Sequence, residues 1–258
     1  MKPIMTTELD QHILVDENTL NEVVNLAELN ENDIVLEVGA GPGNLTHKLS
    51  QKAGKVIALE IDRKFEPDLK TLSDNVEIIW GNAVDYFQMN GKFHHTKNYN
   101  KIVANPPYSL CEPLLHNLTF VQYDKVILLV PMGFAEKAKA NPVFNSFFAV
   151  EEKLQVPKAN FNPPPRTESV VINLIRLPDP VVTKNRELFL RQYLYKHEGQ
   201  KAYNALTEGL ILFARLAENK TLTKNEAREI IDNINIPVDL LESTPNSPEI
   251  YDMVKNSF

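Results

Sequence analysis

The residues best suited to chemistry on a planar amine are Asn105-Pro106-Pro107-Tyr108. An exocyclic amine on an aromatic base is a poor nucleophile, because its lone pair is delocalised into the ring. The Asn105 side-chain oxygen and the Pro106 carbonyl can accept the amine's hydrogens and favour a geometry in which the lone pair points at a methyl donor. Proline has no N–H, so its carbonyl comes without a competing donor. Tyr108 offers a flat face for stacking on the base. No carboxylate base is required when the donor is a sulfonium, since transfer is then mostly positioning. A proline-rich loop with a packed tyrosine is the structural alternative, and these residues alone leave it open.

A methyl donor needs a site of its own. Gly39-Ala40-Gly41-Pro42-Gly43 follows the apolar run Ile34-Val35-Leu36-Glu37-Val38, and a second run, Lys55-Val56-Ile57-Ala58-Leu59, ends on Glu60-Ile61-Asp62. Glycines allow unusual dihedrals and close approach of a ligand to the backbone. Glu60 stands 21 residues after Gly39, where a ribose-binding carboxylate belongs. The spacing is G-x-G-x-G rather than the dinucleotide G-x-G-x-x-G, and Pro42 stiffens the place where a pyrophosphate would meet the helix. No Lys-Ser or Lys-Thr follows to hold a triphosphate. S-adenosylmethionine, a nucleoside without phosphates, fits better, although bare glycine turns also close ordinary folds.

The elements that must hold these residues alternate along the chain. Asp16 is placed to cap a helix over about 18–29, with Thr19, Val23, Val24, Leu26 and Leu29 on one face. Strands are predicted at 34–38, 56–60, 76–79, 101–104, 125–130 and 170–175, with helices at 44–52, 64–72 and 111–119. Residues 87–99 read as an exposed loop, and 133–140 and 144–151 as helix-like segments. The prolines at 163–165 exclude helix interior or central strand there. The expected class is α/β, a doubly wound sheet. Pro178-Asp179-Pro180 marks the expected boundary between a domain at 1–178 and a helical C-terminal domain at 179–258, with helices at 184–196, 200–217 and 223–234.

Composition narrows the function classes. The 258 residues are 43% hydrophobic and 24% charged, with no run long enough to cross a membrane and no signal-peptide core at the start. A cytoplasmic monomer is therefore expected, with no membrane association. Cys111 is the single cysteine, which excludes an internal disulfide or a cysteine metal cluster. His94 and His95 have no third ligand at a sensible spacing, so no metal is expected. A net charge of -7 argues against a phosphate-backbone partner, which usually meets a basic excess.

Taken together, the motifs resemble the ribosomal RNA adenine N6,N6-dimethyltransferases, a family that includes the erythromycin-resistance methyltransferases. The resemblance rests on Gln11-His12-Ile13-Leu14-Val15-Asp16, the stretch from Leu36 to Thr46, Glu60-Ile61-Asp62, Asn105 to Tyr108, and Phe161 to Ser169. It implies a Rossmann-like, seven-stranded class I methyltransferase domain with a small helical C-terminal domain. It implies S-adenosyl-L-methionine as cofactor and methylation of adenine N6 in small-subunit ribosomal RNA, within that RNA or a pre-ribosomal particle. By this resemblance Gln11, Leu14, Gly39 and Gly41 surround the methionine part of the cofactor, Glu60 accepts from the ribose, and Ile61 packs on the adenine. Asn82 stands where the family has an aspartate reading the adenine amine. Asn105 and Tyr108 hold the target base, Asn105 borders the cofactor as well, and Phe161 closes on the base's other face.

The chain also departs from the family pattern. The family's motif is more often Asn-Leu-Pro-Tyr than the Asn-Pro-Pro-Tyr found here, Val130 to Lys137 lacks the family's Gln and Glu, and Glu198-Gly199-Gln200-Lys201 stands where arginines are usual. Missing arginines and net acidity agree with each other. They keep open a methyltransferase of the same fold acting on a small amine, a nucleotide or a protein, and a non-enzymatic assembly factor.

Overall fold

The computed structural model describes residues 11–91, 99–245 and 247–258; His94 and His95 lie outside them. The first half contains β1 (Ile13–Leu14), α1 (Glu17–Leu26), β2 (Ile34–Val38), α2 (Asn44–Ser50), β3 (Lys55–Glu60), α3 (Glu66–Leu69), β4 (Val76–Trp80) and α4 (Ala83–Gly91). There follow β5 (Lys101–Ala104), α5 (Cys111–Leu118), β6 (Lys125–Pro131), α6 (Met132–Ala140), β7 (Phe148–Val156), β8 (Phe161–Asn162) and β9 (Ser169–Arg176). The chain ends with α7 (Arg186–Lys196), α8 (Ala202–Ala217), α9 (Lys224–Asp232), α10 (Val238–Glu242) and α11 (Pro248–Ser257).

Seven strands form one sheet in the order β4-β3-β2-β5-β6-β9-β7. From β4 to β6 neighbours are parallel, and β9 runs antiparallel to β6, with Pro131 opposite Ser169. Runs rich in Val, Ile and Leu make these central strands because both faces are covered. Connections leave β2 toward β3 on one side, while β5 lies on the other, paired through Val35↔Lys101 and Leu36↔Ile102. Open sheets bind ligands beyond the carboxyl ends of strands at such a reversal. The turn after β2 and Asn105 after β5 are therefore brought to one rim. At the opposite ends of these strands the buried Lys101 ammonium bonds Asp33 at 3.0 Å and the carbonyls of Ala27 and Glu28.

Three elements differ from the sequence expectation. The stretch 144–151 is not helix-like: after a short turn it becomes β7, a terminal strand of the sheet. Its exposed Glu152, Lys153 and Gln155 interrupt the apolar pattern, as a one-sided edge strand permits. The region read as a loop from 87 is helical as far as Gly91. The helix expected at 64–72 splits into a 3-10 turn, Arg63–Phe65, and the short α3, in whose first turn Pro67 sits.

The chain divides into two compact units, one reaching to Ala138 and including Val150–Ile175, the other Lys139–Ala149 with Arg176–Phe258. The second unit is helical and has its own core, in which Leu190, Leu194, Leu206, Leu210, Ile231 and Tyr251 are buried. Gly209 lets α8 cross α7 closely, since a Cβ there would lie 2.9 Å from Leu190. The segment 139–149 belongs here because the buried Arg191 donates to the Pro142 carbonyl and to Asn145, and Gln192 donates to the Ser146 carbonyl at 2.7 Å.

Candidate active site

The glycine turn is built by backbone dihedrals that only glycine tolerates well. Gly39, Gly41 and Gly43 have φ of +79°, +56° and +92°. The amides of Gly39 and Ala40 donate to the Leu59 carbonyl at 2.9 and 3.1 Å, tying the turn to the end of β3. A Cβ on Gly39 would come within 3.1 Å of Pro107, so the turn and the Asn-Pro-Pro-Tyr segment touch. At Gly41 a Cβ would meet nothing within 4 Å. There the backbone borders a cavity of about 480 Å³.

Glu60 ends β3 and is buried, 4% exposed as a residue. Oε2 accepts from Gly41 N–H at 2.7 Å, and Oε1 accepts from the N–H groups of Ile61 and Asp62 at 2.9 and 2.7 Å. The carboxylate thus holds the turn on one side and the next segment on the other. Ile61, beside it, is 53% exposed against the cavity. At the rim, Lys64 Nζ bonds Gln11 Oε1 at 2.6 Å and Asp62 at 2.8 Å. Burial pushes the Asp62 carboxyl up, but the hydrogen bonds and charge of Lys64 outweigh it and leave it below the usual range. Gly81 N–H donates to the Glu60 carbonyl at 2.9 Å, and Asn82 follows it on the cavity wall.

Asn105 donates through Nδ2 to the His12 carbonyl at 3.0 Å. Because a carbonyl must face a donor, this bond fixes the amide's sense and leaves Oδ1 as its acceptor. Tyr108 packs its ring against His12, with centroids 5.3 Å apart, and its hydroxyl bonds the buried Ser169 Oγ at 2.6 Å. The His12 ring in turn bonds the Pro163 carbonyl at 3.0 Å. Two segments far apart in the chain, His12 just before β1 and the stretch from Pro163 to Ser169, therefore brace the Asn105–Tyr108 rim.

The structure gathers Gln11, Leu14, Gly39, Gly41, Glu60, Ile61, Asn82, Asn105, Pro106 and Tyr108 around this cavity. Phe161 is not among them. It is 3% exposed on β8, with Leu14 as its strand partner, and sits among the core residues rather than in the cavity wall. Pairing with β1 turns its ring inward, so it backs the wall that Leu14 lines. Three residues had no role assigned from the sequence. His12 and Ser169 stood inside quoted motifs, and Glu37 was visible as an acid inside an apolar strand run.

Glu37 also lines the cavity; it is 1% exposed, and its Oε2 lacks a protein partner. Burial pushes its pKa up to about 8, the Thr46 hydroxyl opposes this, and the charge of Glu60 adds to it. These features fit a sulfonium nucleoside carrying an amino acid. The open glycine backbone admits it, Ile61 offers an apolar face to a base, Glu60 offers acceptor capacity, and Glu37 holds an unmatched oxygen for a polar group.

A family model described as ribosomal RNA adenine dimethylase matches residues 5–236. The chain belongs to that family. It is accordingly a methyltransferase of the adenine-N6 type that depends on S-adenosylmethionine. A probable ribosomal RNA small subunit methyltransferase A of Methanococcoides burtonii is 35% identical over 78% of this chain and 77% of its own. One from Methanopyrus kandleri is 32% identical over 92% of this chain and 85% of its own. A solved dimethyladenosine transferase from Plasmodium falciparum has the same fold, at a TM-score of 0.59 and 21% identity, covering 94% of this chain and 96% of that one. The methyltransferase core is thus Rossmann-like, with added C-terminal helices.

Proposed function

We propose that the protein methylates the N6 amine of adenine in small-subunit ribosomal RNA, adding up to two methyl groups. The observation that carries this is the fixed sense of the Asn105 amide, set by its bond to the His12 carbonyl. It leaves an acceptor, beside the Pro106 carbonyl, for the hydrogens of an exocyclic amine. S-adenosylmethionine, when bound, supplies an activated methyl group. Around it, Gly39 and Gly41 give backbone approach, Ile61 offers a surface for the base, and Glu60 offers its remaining acceptor capacity to the ribose.

Asn105 and Pro106 hold the amine so that its lone pair, rather than its hydrogens, faces the cavity. Tyr108 stacks on the target base, with its ring orientation set by Ser169 and His12. The transfer leaves a proton on the nitrogen, and the same two acceptors are placed to steady it until solvent takes it. The relatives' names support ribosomal RNA as the acceptor. The net charge of -7 favours a second reading, a non-RNA amine, because phosphate contacts require cations. An acceptor panel separates them: labelled cofactor with immature small subunits, total RNA or a metabolite pool. Label in the small subunits alone supports the RNA reading, and label only in the metabolite pool refutes it.

A further inference from the structure

Glu37 is a buried acid that the proposed chemistry leaves unused. It sits on β2, two residues before Gly39, lines the cavity and is 1% exposed. Its Oε2 has no protein partner, and an unmatched buried acceptor costs the desolvation of the group. The groups facing the carboxyl are the Thr46 hydroxyl on α2 and the Glu60 carboxylate on β3. The other titratable groups on the wall are His12 and Tyr108, at the Asn105 rim, and among the described residues the wall carries no lysine or arginine. A buried carboxyl beside a second carboxylate, with no cation to pair it, keeps its proton; burial and Glu60 push Glu37 up to about 8.

We infer that Glu37 receives the α-ammonium of the ligand's amino-acid end and releases its own proton to solvent as that ammonium arrives. The inference rests on the reading that the cavity holds a sulfonium nucleoside carrying an amino acid. Such a ligand brings two cations, and their chemistry separates them. An ammonium has three N–H donors and satisfies an acceptor that lacks one. A sulfonium has no hydrogen to donate and leaves Oε2 unmatched. The ammonium's charge favours the ionised carboxyl, so the acid titrates lower in the complex than in the free protein. Affinity therefore rises with pH up to about 8, where the free acid is already ionising and less proton remains to be displaced.

The test is calorimetric titration of the full chain in buffers of different ionisation enthalpy, which counts the protons released per ligand bound. S-adenosylhomocysteine carries the ammonium without the sulfonium, and 5′-methylthioadenosine carries neither. At about pH 7 the free acid is roughly nine-tenths protonated, so the first should release more than about half a proton and the second less than about 0.2. The Kd of S-adenosylhomocysteine should also fall at least about threefold between about pH 6 and pH 7. Glu37→Gln carries no acidic proton and should abolish both the release and the pH dependence. Binding without proton release overturns the inference and leaves the cofactor reading intact. Equal release from the two ligands, or release that Glu37→Gln leaves unchanged, also overturns it. Binding of neither ligand removes the cofactor reading and the inference with it. Should Glu37→Gln melt early, the wild-type proton count decides on its own.

Discussion

Replacing Glu60 by glutamine is almost isosteric, yet the geometry makes it costly. Three backbone N–H groups converge on the carboxylate, one on Oε2 and two on Oε1. A glutamine must place its amine on one side. The cheaper orientation sets the amine toward Gly41 and loses one bond; the other loses two. A hydrogen bond to a charged group is worth about 1.5–3 kcal/mol, and the surviving bonds lose charge assistance as well. At about 2–4 °C per kcal/mol for a protein of this size, Glu60→Gln should lower the melting temperature by roughly 3–12 °C. Releasing Gly41 also frees the turn bordering the cavity, so affinity for S-adenosylhomocysteine should fall at least ~10-fold, about 1.4 kcal/mol. Thermal melts and calorimetry on the same preparations read both effects. Melting within 1 °C of wild type together with a Kd within about twofold would refute the reasoning. Early melting with full affinity would leave Glu60 as a brace only.

Asn105→Ala should keep cofactor affinity within a few-fold while turnover falls at least ~100-fold, as for an interaction made mainly in the transition state; parallel loss of both would mark a packing residue. Tyr108→Phe and Ser169→Ala each break the 2.6 Å hydroxyl bond, and each should raise the acceptor KM by a few-fold, about 1 kcal/mol. The double variant should be no worse than either, and additive losses in steady-state kinetics would deny the coupling. Glu37 is an acid whose folded pKa is raised from 4.5 to about 8, so the wild type loses stability as pH rises between those values. Glu37→Gln stays neutral and should melt like wild type near pH 4.5 but higher by pH 8, and a constant difference across that range would contradict the buried acid. Lys101→Ala leaves Asp33 buried beside its lost partner and should cost about 3–5 kcal/mol in denaturant unfolding; a change under about 1 kcal/mol would show that water replaces it.

The parts of the fold legible in the sequence were those with one dominant signal. Ile34–Val38 and Lys125–Pro131 read as strands because apolar runs that short suit a two-sided sheet. Asp16 caps α1 through Thr19, at 2.8 Å, as the residue type foretold. β7 was hidden because Glu151, Glu152 and Lys153 break its apolar pattern while its terminal place in the sheet tolerates them. Around the cavity, residue types and the family resemblance together pointed to ten wall positions, whereas Phe161 differs because pairing of β8 with β1 is a long-range event that local pattern does not encode. The commitments of side chains were equally invisible. Glu60 read as a ribose acceptor, and only the folded turn shows three amides already on it. Asn82 stood at the place of a family aspartate, and only the start of α4 shows its oxygen accepting from the Val84 N–H.

The central claim concerns one nitrogen of one base, and nucleoside analysis reaches it directly. Immature small subunits are incubated with cofactor carrying an isotopically labelled methyl group, and the RNA is digested to nucleosides and separated by mass. The account predicts label in N6-methylated adenosine, with the dimethylated form accumulating as the reaction proceeds, and none with Asn105→Ala. Label on another ring position, on ribose, or on ribosomal protein while the adenosines stay unlabelled would contradict it.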